Sequence, residues 1–564
     1  MTLSVLTVLS RAGVPKGVVG KLVASHGGAS KASMIVKKDV FDALREAGAS
    51  LDVADRVAVA LKYPLARRVY GHATWALASR QLSLSLLVAR LRFSMELPEP
   101  TIRTTVQKLV DAGDLVSVDA NVVTRAMYDR AADVAERINR RLDAAADHPG
   151  LRDAAARLTD LTDDQLAAVR MVAGSRFSVI TGGPGTGKSH VVRQLIDVFP
   201  SARVTAPTGR AARNASGKTV HYFKTIQETG KNELSNVDLL IVDEASMIST
   251  DLMLAVLQMA SPAAHIVLVG DVDQLPPIDT GDVLRDVIAC GRVPTTYLRT
   301  NHRSVAPIQA FARAILDGRV DIPGDPAIDF LACDTFDDVL NAIPHLPEDA
   351  MILTPHNASR ISLNRAAQLW RLAAKERCDV TLRTPFPDAP AGTSGSCSRH
   401  GSHAVQVFAG GNKFTASLAA AEKMVAVPRG FAAIAAEAGT TLVCGDRVII
   451  TKNTPDACNG DLGVFVINDV VDLDAGEQVS VPRLAPDDPG MTLAYAITVH
   501  KAQGSEFGTV VVPVTNTSAW DRTLLYTAVT RAKTAVVFLG TKEDLDAIVK
   551  YTRPPRGSVL RAVL

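Results

Sequence analysis

Apolar positions along the chain follow two rhythms. Through residues 1–150 they recur at helical spacing, as in Val18-Val19-Leu22-Val23 and Val57-Val59-Ala60-Leu61, which predicts a mostly helical region. Residues 102–122 read as a helix followed by a short hairpin, and the polar stretch 143–153, with His148-Pro149-Gly150, reads as a linker. From about residue 160 short β-branched runs alternate with helical segments, at 177–180, 202–205, 238–242 and 265–269. Continuous apolar strands between helices predict a parallel sheet covered on both faces, with ligands beyond the carboxyl ends of the strands. A second set, at 350–354, 509–512 and 535–539, predicts a second α/β unit. Residues 384–403 are rich in Pro, Gly and Ser and predict a flexible insertion, and 441–490 predict several short strands of a small barrel. No solenoid-type repeat is evident.

The length of 564 residues exceeds what one core supports, so three or more domains are expected. Apolar residues at 47% and charged residues at 21% exclude a disordered or fibrous chain. No apolar run approaches the ~18 residues of a membrane span. The start, Met1-Thr2-Leu3-Ser4-Val5, lacks the basic region of a secretory signal. Six scattered cysteines form no disulfide framework and suit a reducing cytoplasm. Residues 1–150 carry a net charge of +6 against −4 for the rest, so the front end is compatible with a polyanion or with a plain solvated surface.

Gly182-Gly183-Pro184-Gly185-Thr186-Gly187-Lys188-Ser189 fits G-x-x-x-x-G-K-[ST] between a predicted strand and a predicted helix, the context a phosphate-binding loop requires. The glycines let backbone N–H groups converge on phosphates at a helix N-terminus. Lys188 is expected at the β/γ-phosphates of ATP and Ser189 on Mg²⁺. Asp243, after the apolar run 239–242, is expected in the Mg²⁺ shell, and Glu244 as the base that orients and deprotonates water.

Leu161-Thr162-Asp163-Asp164-Gln165 resembles the glutamine motif of the superfamily 1 helicases. Ala206-Pro207-Thr208-Gly209-Arg210-Ala211-Ala212 resembles their motif Ia, Thr219-Val220-His221 motif Ib, and Val242-Asp243-Glu244-Ala245-Ser246-Met247 motif II. Gly270-Asp271-Val272-Asp273-Gln274-Leu275-Pro276-Pro277 is similar to motif III and Leu298-Arg299-Thr300-Asn301-His302-Arg303 to motif IV. Residues 494–506, with Thr498-Val499-His500-Lys501, resemble motif V, and Tyr526-Thr527-Ala528-Val529-Thr530-Arg531-Ala532-Lys533 motif VI. In order and with the phosphate loop, the set resembles class B, and within it the RecD-like helicases with a long N-terminal extension. Leu9-Ser10-Arg11-Ala12-Gly13-Val14 and Gly48-Ala49-Ser50-Leu51 resemble their helix-hairpin-helix part, and Gly445-Asp446-Arg447-Val448 their SH3-like barrel.

The resemblance implies two RecA-like parallel-sheet motor domains, a helical N-terminal domain and an inserted SH3-like β-barrel. On that basis 1–150 is the N-terminal domain, 151–295 motor 1 with a short pin region at 222–237, 296–375 and 491–564 motor 2, 376–440 an insertion and 441–490 the barrel. It implies that Gln165 reads adenine, Gln274 senses the γ-phosphate, and Arg303 and Arg531 steady transition-state charge. Pro207, Thr208 and His221 would touch one stretch of DNA, and Thr498, His500 and Lys501 another. The implied activity is ATP-driven 5′→3′ movement on single-stranded DNA and unwinding of tailed duplexes, in replication, recombination or repair and alongside proteins of those processes. A RecD-like subunit gating a nuclease or recombination complex, and an RNA helicase, are the alternatives. The short interval between motifs Ib and II leaves room only for a stunted pin. Cys378, Cys397, His400 and His403 offer zinc-type ligands at poor spacing, and a flexible linker is the favoured reading of that stretch.

Overall fold

The computed structural model describes the chain except residues 1–4, 79–80, 145–157, 159, 200, 301–305, 321–323, 375–377, 384–390, 392, 401–403, 410–411, 427–433, 436–440, 468, 483–489 and 554–557. Most of the expected linker, and Arg303, therefore lie outside the described residues. Among those described, no helix is long and apolar enough to cross a membrane.

The N-terminal region opens with helical hairpins. Val5–Arg11 turns into Lys16–Ser25, and Val40–Glu46 into Leu51–Ala60. In both turns a backbone N–H reaches back, Val14 to Leu9 O at 3.0 Å and Ala49 to Leu44 O at 2.9 Å. Helix Glu99–Asp111 precedes a hairpin of β2 (Leu115–Val118) and β3 (Asn121–Thr124), which β1 (Leu82–Ser83) joins. The next helix, Arg125–Asp143, lies within the expected N-terminal domain but packs elsewhere. Its Met127, Ala131, Val134 and Ile138 share a core with Phe177, Val179, Leu240 and Ile266 of motor 1.

The region expected as motor 1 holds a six-stranded parallel sheet, ordered β6-β5-β7-β8-β4-β9, from β4 (Phe177–Gly182), β5 (Arg203–Ala206), β6 (Lys218–Thr219), β7 (Leu239–Val242), β8 (His265–Gly270) and β9 (Thr295–Leu298). Alternate residues fill opposite cores, Val179 on one face and Ile180 on the other, as the period of two requires. The boundary expected at 295/296 falls inside β9, which pairs with β4 through Leu298. Sequence patterning shows that a strand exists but not which sheet it joins. The C-terminal helix Val559–Val563, expected in motor 2, also returns to motor 1, where Val559 and Leu560 enter the same core as Arg125–Asp143. The pin region holds the helix Val220–Glu228 and a turn, with no strand hairpin among its described residues.

The region expected as motor 2 holds a five-stranded parallel sheet, β10-β26-β25-β11-β24, from β10 (Ile328–Leu331), β11 (Met351–Thr354), β24 (Ala496–Thr498), β25 (Phe507–Pro513) and β26 (Ala532–Leu539). Between β11 and β24 the chain leaves and returns. The expectation of a flexible 384–403 is corrected at Ser394–His400, while 384–390, 392 and 401–403 lie outside the described residues. β12 (Cys378–Leu382), β13 (Ser394–His400), β14 (Ala404–Ala409), β15 (Asn412–Ser417) and β16 (Val425–Ala426) form an antiparallel sheet, β15-β14-β13-β12-β16. Its Val380, Cys397, Val405 and Val407 pack with Ile352, Leu363 and Val511 of motor 2. The Ser- and Gly-rich β13 reads as linker because its neighbours supply the apolar mass. Gly395 lies so close to β14 that a Cβ would stand 2.3 Å from Phe408 O. Cys378 and Cys397 are opposed across β12 and β13, Cys397 is buried, and His403 lies outside the described residues. No group of three or more His, Cys, Asp or Glu suited to a metal occurs among the described residues.

A small hairpin, β17 (Ile434–Ala435) with β18 (Thr441–Leu442), leads to the barrel strands. These are β19 (Arg447–Ile450), β20 (Leu462–Phe465), β21 (Val470–Leu473), β22 (Gln478–Ser480) and β23 (Met491–Leu493), ordered β22-β21-β20-β19-β23 around their own core of Val448, Phe465, Val471 and Leu493. The expected end at 490 thus moves past Leu493.

Candidate nucleotide and nucleic-acid site

The phosphate loop leaves the carboxyl end of β4 and feeds the helix Lys188–Val198. Gly185 and Gly187 take φ of +75° and +82°, the left-handed region that favours glycine, so the loop can turn back on itself. The Lys188 Nζ donates to Gly182 O at 2.6 Å and Gly183 O at 2.9 Å. It thereby spans the loop where phosphate oxygens would supply better acceptors. Gln165, buried, holds the loop from outside: its Nε2 donates to Thr186 O at 3.4 Å while its Oε1 accepts from the Thr162 N–H at 3.2 Å.

Asp243 follows β7, and its Oδ1 accepts from the Glu244 N–H at 2.9 Å. Burial first, then the neighbouring Glu244 charge, push the Asp243 carboxyl well above the usual carboxylate range, against a smaller pull from Lys188. A buried acid in that state gains from a nearby cation. Ser189, Asp243 and Glu244 line one cavity of about 610 Å³, so hydroxyl and carboxylate oxygens, the donor set Mg²⁺ prefers, converge there. Glu244 adopts φ +50°, costly for a residue with a side chain.

Arg531 of motor 2 lines the same cavity. It is buried and braced by its own domain, donating to Thr527 O at 3.2 Å and Ser505 O at 3.4 Å. On the other side of the loop a second cavity of about 480 Å³ is lined by Gly182, Pro184, Thr186, Tyr297, Arg299 and Arg313. Gln274 is buried. Its Nε2 donates to Asp271 Oδ2 at 3.2 Å, and its Oε1 has no hydrogen-bond partner.

The residues expected on DNA fall at the carboxyl edges of the two sheets. Pro207 and Thr208 follow β5, with the Thr208 Oγ1 capping the next helix at the Ala211 N–H, 3.3 Å away. His221 follows β6 and is exposed. Thr498 ends β24, its Oγ1 accepting from the Lys501 N–H at 3.4 Å, and His500 and Lys501 are partly exposed.

Sequence reasoning missed several tertiary contacts. The Tyr526 hydroxyl, in motor 2, donates to Asp271 Oδ2 of motor 1 at 2.9 Å. The Asp164 Oδ2 accepts from the Arg299 N–H at 2.8 Å and so ties the 161–165 segment to the start of 298–303. Burial raises that carboxyl, but hydrogen bonds from Thr162, Arg299, Thr300 and Gln165 prevail and hold it below its usual range. Arg213, beyond motif Ia, pairs with Asp461 of the barrel at 2.9 Å. No local signal marks these partners, which are separated by up to 255 positions.

Two family models match the chain: an AAA domain over residues 160–334 and a UvrD-like helicase C-terminal domain over 493–539. The ATP-dependent RecD2 DNA helicase of Deinococcus radiodurans is 30% identical over 421 residues, 71% of this chain and 52% of that protein. The RecBCD enzyme subunit RecD of Mycolicibacterium smegmatis is 28% identical over 69% of this chain and 72% of its own. The chain thus spans about half the length of the first relative. A solved Pif1 helicase from Candida albicans is 19% identical, with a TM-score of 0.44 over 70% of this chain and 97% of its own.

Proposed function

We propose that this chain is a RecD-like helicase of superfamily 1, an ATP-driven DNA helicase that moves 5′→3′ on single-stranded DNA. The observation that carries the reading is one cavity in which the phosphate-loop Ser189, the Asp243–Glu244 pair and Arg531 of the opposite motor meet. Phosphoryl transfer is governed by positioning and charge neutralisation, and this arrangement supplies both only when the two motors are together.

In this reading the loop N–H groups and Lys188 hold the β/γ-phosphates. Ser189 and Asp243 would hold Mg²⁺, which when bound would neutralise charge on the phosphates. Glu244 orients a water and takes its proton as it attacks the γ-phosphorus. Gln274, with a free acceptor oxygen, reports the γ-phosphate to Asp271 and, through Tyr526, to motor 2. Arg531, joined by Arg303, steadies the transferring phosphoryl, and Gln165 selects adenine. Pro207, Thr208 and His221 hold the strand on motor 1, and Thr498, His500 and Lys501 on motor 2. Such contacts to phosphate and base faces need no sequence. We place its action on recombination, replication or repair intermediates, in the reducing cytoplasm that the scattered cysteines suit. A RecD-type role in a larger complex ranks second; the helix in place of a pin favours it.

The test is ATP turnover with and without single-stranded DNA of arbitrary sequence, followed by strand displacement on matched 5′-tailed and 3′-tailed duplexes. Stimulated turnover and displacement of the 5′-tailed substrate are expected. Displacement of the 3′-tailed substrate alone would overturn the polarity, and turnover indifferent to DNA would overturn the motor.

A further inference from the structure

The helix Asn357–Leu372 departs from an ordinary core helix. Arg360, Asn364, Gln368 and Arg371 recur along one face at spacings of four, four and three, where an apolar stripe would be expected. The first three are 2%, 2% and 3% exposed, so this is a polar spine inside motor 2. Asn364 clasps the first residue of β24. Its Nδ2 donates to Ala496 O and its Oδ1 accepts from the Ala496 N–H, both at 2.8 Å.

One turn further on, the spine reaches Asp446, at the root of the barrel and wholly buried. The Asp446 Oδ1 accepts from Arg371 Nη2 at 2.7 Å and the Tyr495 hydroxyl at 2.8 Å. Its Oδ2 accepts from Gln368 Nε2 at 2.5 Å and the Val443 N–H at 2.7 Å. Four donors from three segments thus converge on one carboxylate. Desolvating such a group costs so much that an apolar plug of equal volume would often stabilise as well or better. What the carboxylate provides instead is direction, since each lone pair admits its donor from one side only. Tyr495 sits between β23 of the barrel and β24 of the motor, and the turn carrying Thr498, His500 and Lys501 follows directly.

We propose that Asp446, acting through Tyr495 and Arg371, is a positioning residue that locks the barrel root and the 498–501 turn to motor 2 as one body. This rests on the translocase reading: a strand held by that turn moves with motor 2 only if the turn cannot lag behind it.

The variants are Asp446→Asn and Tyr495→Phe in the full chain. Asparagine at 446 places an N–H₂ where two donors already point, and phenylalanine at 495 removes one hydrogen bond while keeping the ring. The readout is ATP turnover titrated with oligo-dT. For Asp446→Asn the half-saturating DNA concentration is expected to rise about tenfold, the equivalent of ~1.4 kcal/mol, with maximal turnover within about twofold of wild type. For Tyr495→Phe the expected rise is about threefold, consistent with one modest bond. Glu422→Gln is the control. Glu422, on the helix Leu418–Met424 of the insertion, is a second buried acid, 3.7 Å from Arg365 of the helix Asn357–Leu372, and its loss should lower the melting temperature and leave the DNA titration unmoved. Variants of 446 and 495 that melt earlier but titrate like wild type, or all three moving alike, would reduce the network to plain stability and overturn the proposal. If Asp446→Asn fails to fold, Tyr495→Phe decides by the same criterion. Absence of DNA-stimulated turnover in the wild type overturns the motor reading, and the positioning role with it.

Discussion

Tyr526→Phe removes one oxygen from the seam between the motors. That oxygen donates to Asp271 Oδ2 at 2.9 Å, and the two residues are 4% and 2% exposed, so water does not replace it freely. Burial first, and then the Asp271 charge, push the Tyr526 hydroxyl far above its usual range, so it remains a donor at any working pH. A hydrogen bond to a charged, buried acceptor contributes about 1.5–3 kcal/mol. Asp271 retains Gln274 Nε2 at 3.2 Å and the Asp273 N–H at 3.0 Å, which places the loss near the lower end, ~1.5 kcal/mol. Because the bond joins motor 1 to motor 2, that energy is lost from the closed arrangement alone and shifts the open–closed ratio about tenfold. We expect kcat for ATP at saturating single-stranded DNA to fall by up to about tenfold, with half-saturating DNA within about twofold of wild type. The assay is steady-state ATP turnover titrated separately in ATP and DNA, with a melting curve to show an intact fold. Unchanged kcat and KM for ATP, or a loss expressed only in DNA affinity, would refute the coupling role of this seam.

Lys188→Ala should abolish ATP turnover while the melting temperature stays close to wild type, and Glu244→Gln should retain ATP binding and lose hydrolysis; turnover equal to wild type in either would undo the site assignment. Asp286 is buried, and burial outweighs the Ser558 hydroxyl to push its carboxyl up to about 7. A folded value above the unfolded one means that the folded state holds the extra proton between about pH 4 and 7, so stability falls as pH rises through that window. Asp286→Asn should therefore stabilise most at pH 7 and above, with the gain vanishing toward pH 4, and a pH-independent difference in melting would contradict it. Replacing 394–409 with a short Gly-Ser linker removes β13 and β14 with Cys397, Val405 and Val407, all 0% exposed, and should give a strongly destabilised chain, whereas a melting curve matching wild type would show that the inserted sheet carries no load. 

What could be read from sequence was what is contiguous. The phosphate loop and the Asp243–Glu244 pair each compress strand, turn and chemistry into a few residues, so their places follow from local geometry. Pairing and allegiance are not local. Nothing in Thr295-Thr296-Tyr297-Leu298 says that it lies beside β4 rather than in the second sheet. The apolar stripe of Arg125–Asp143 states that the helix is half buried, not which core receives it. β13 is hidden for another reason: Ser394, Gly395, Ser396 and Ser398 carry the composition of a linker, and only the Val-bearing β14 beside them makes a strand there stable. The polar spine at 360–371 likewise reads as a solvated helix face until Asp446 and Ala496 are placed against it.

The chemistry of each contact also separates the apolar joints of the fold from its polar ones. The inserted sheet and the C-terminal helix attach through apolar side chains buried in the motor cores, contacts of the kind that persist. The seam between the motors is different. Leu275 enters the core of motor 2, Gly209 lies against Cys458 and Gly504 against Ala211, and among the described residues polar contacts also cross it: Tyr526 to Asp271, the Leu275 N–H to Thr527 Oγ1, Gln503 to Leu275 O, Asn214 to Gly504 O, and Arg210 and Arg213 to the barrel turn at Gly460 and Asp461. With ~1.5 kcal/mol for Tyr526–Asp271 and about 0.5–1.5 kcal/mol net for each of the other five, the set amounts to roughly 4–9 kcal/mol. Carrying a two-state equilibrium from one side to the other takes about 5.5 kcal/mol of differential binding. In the proposed reading, a nucleotide bridging the phosphate loop and Arg531 would act on a seam of that size, which would close firmly with ATP and open once the γ-phosphate is gone.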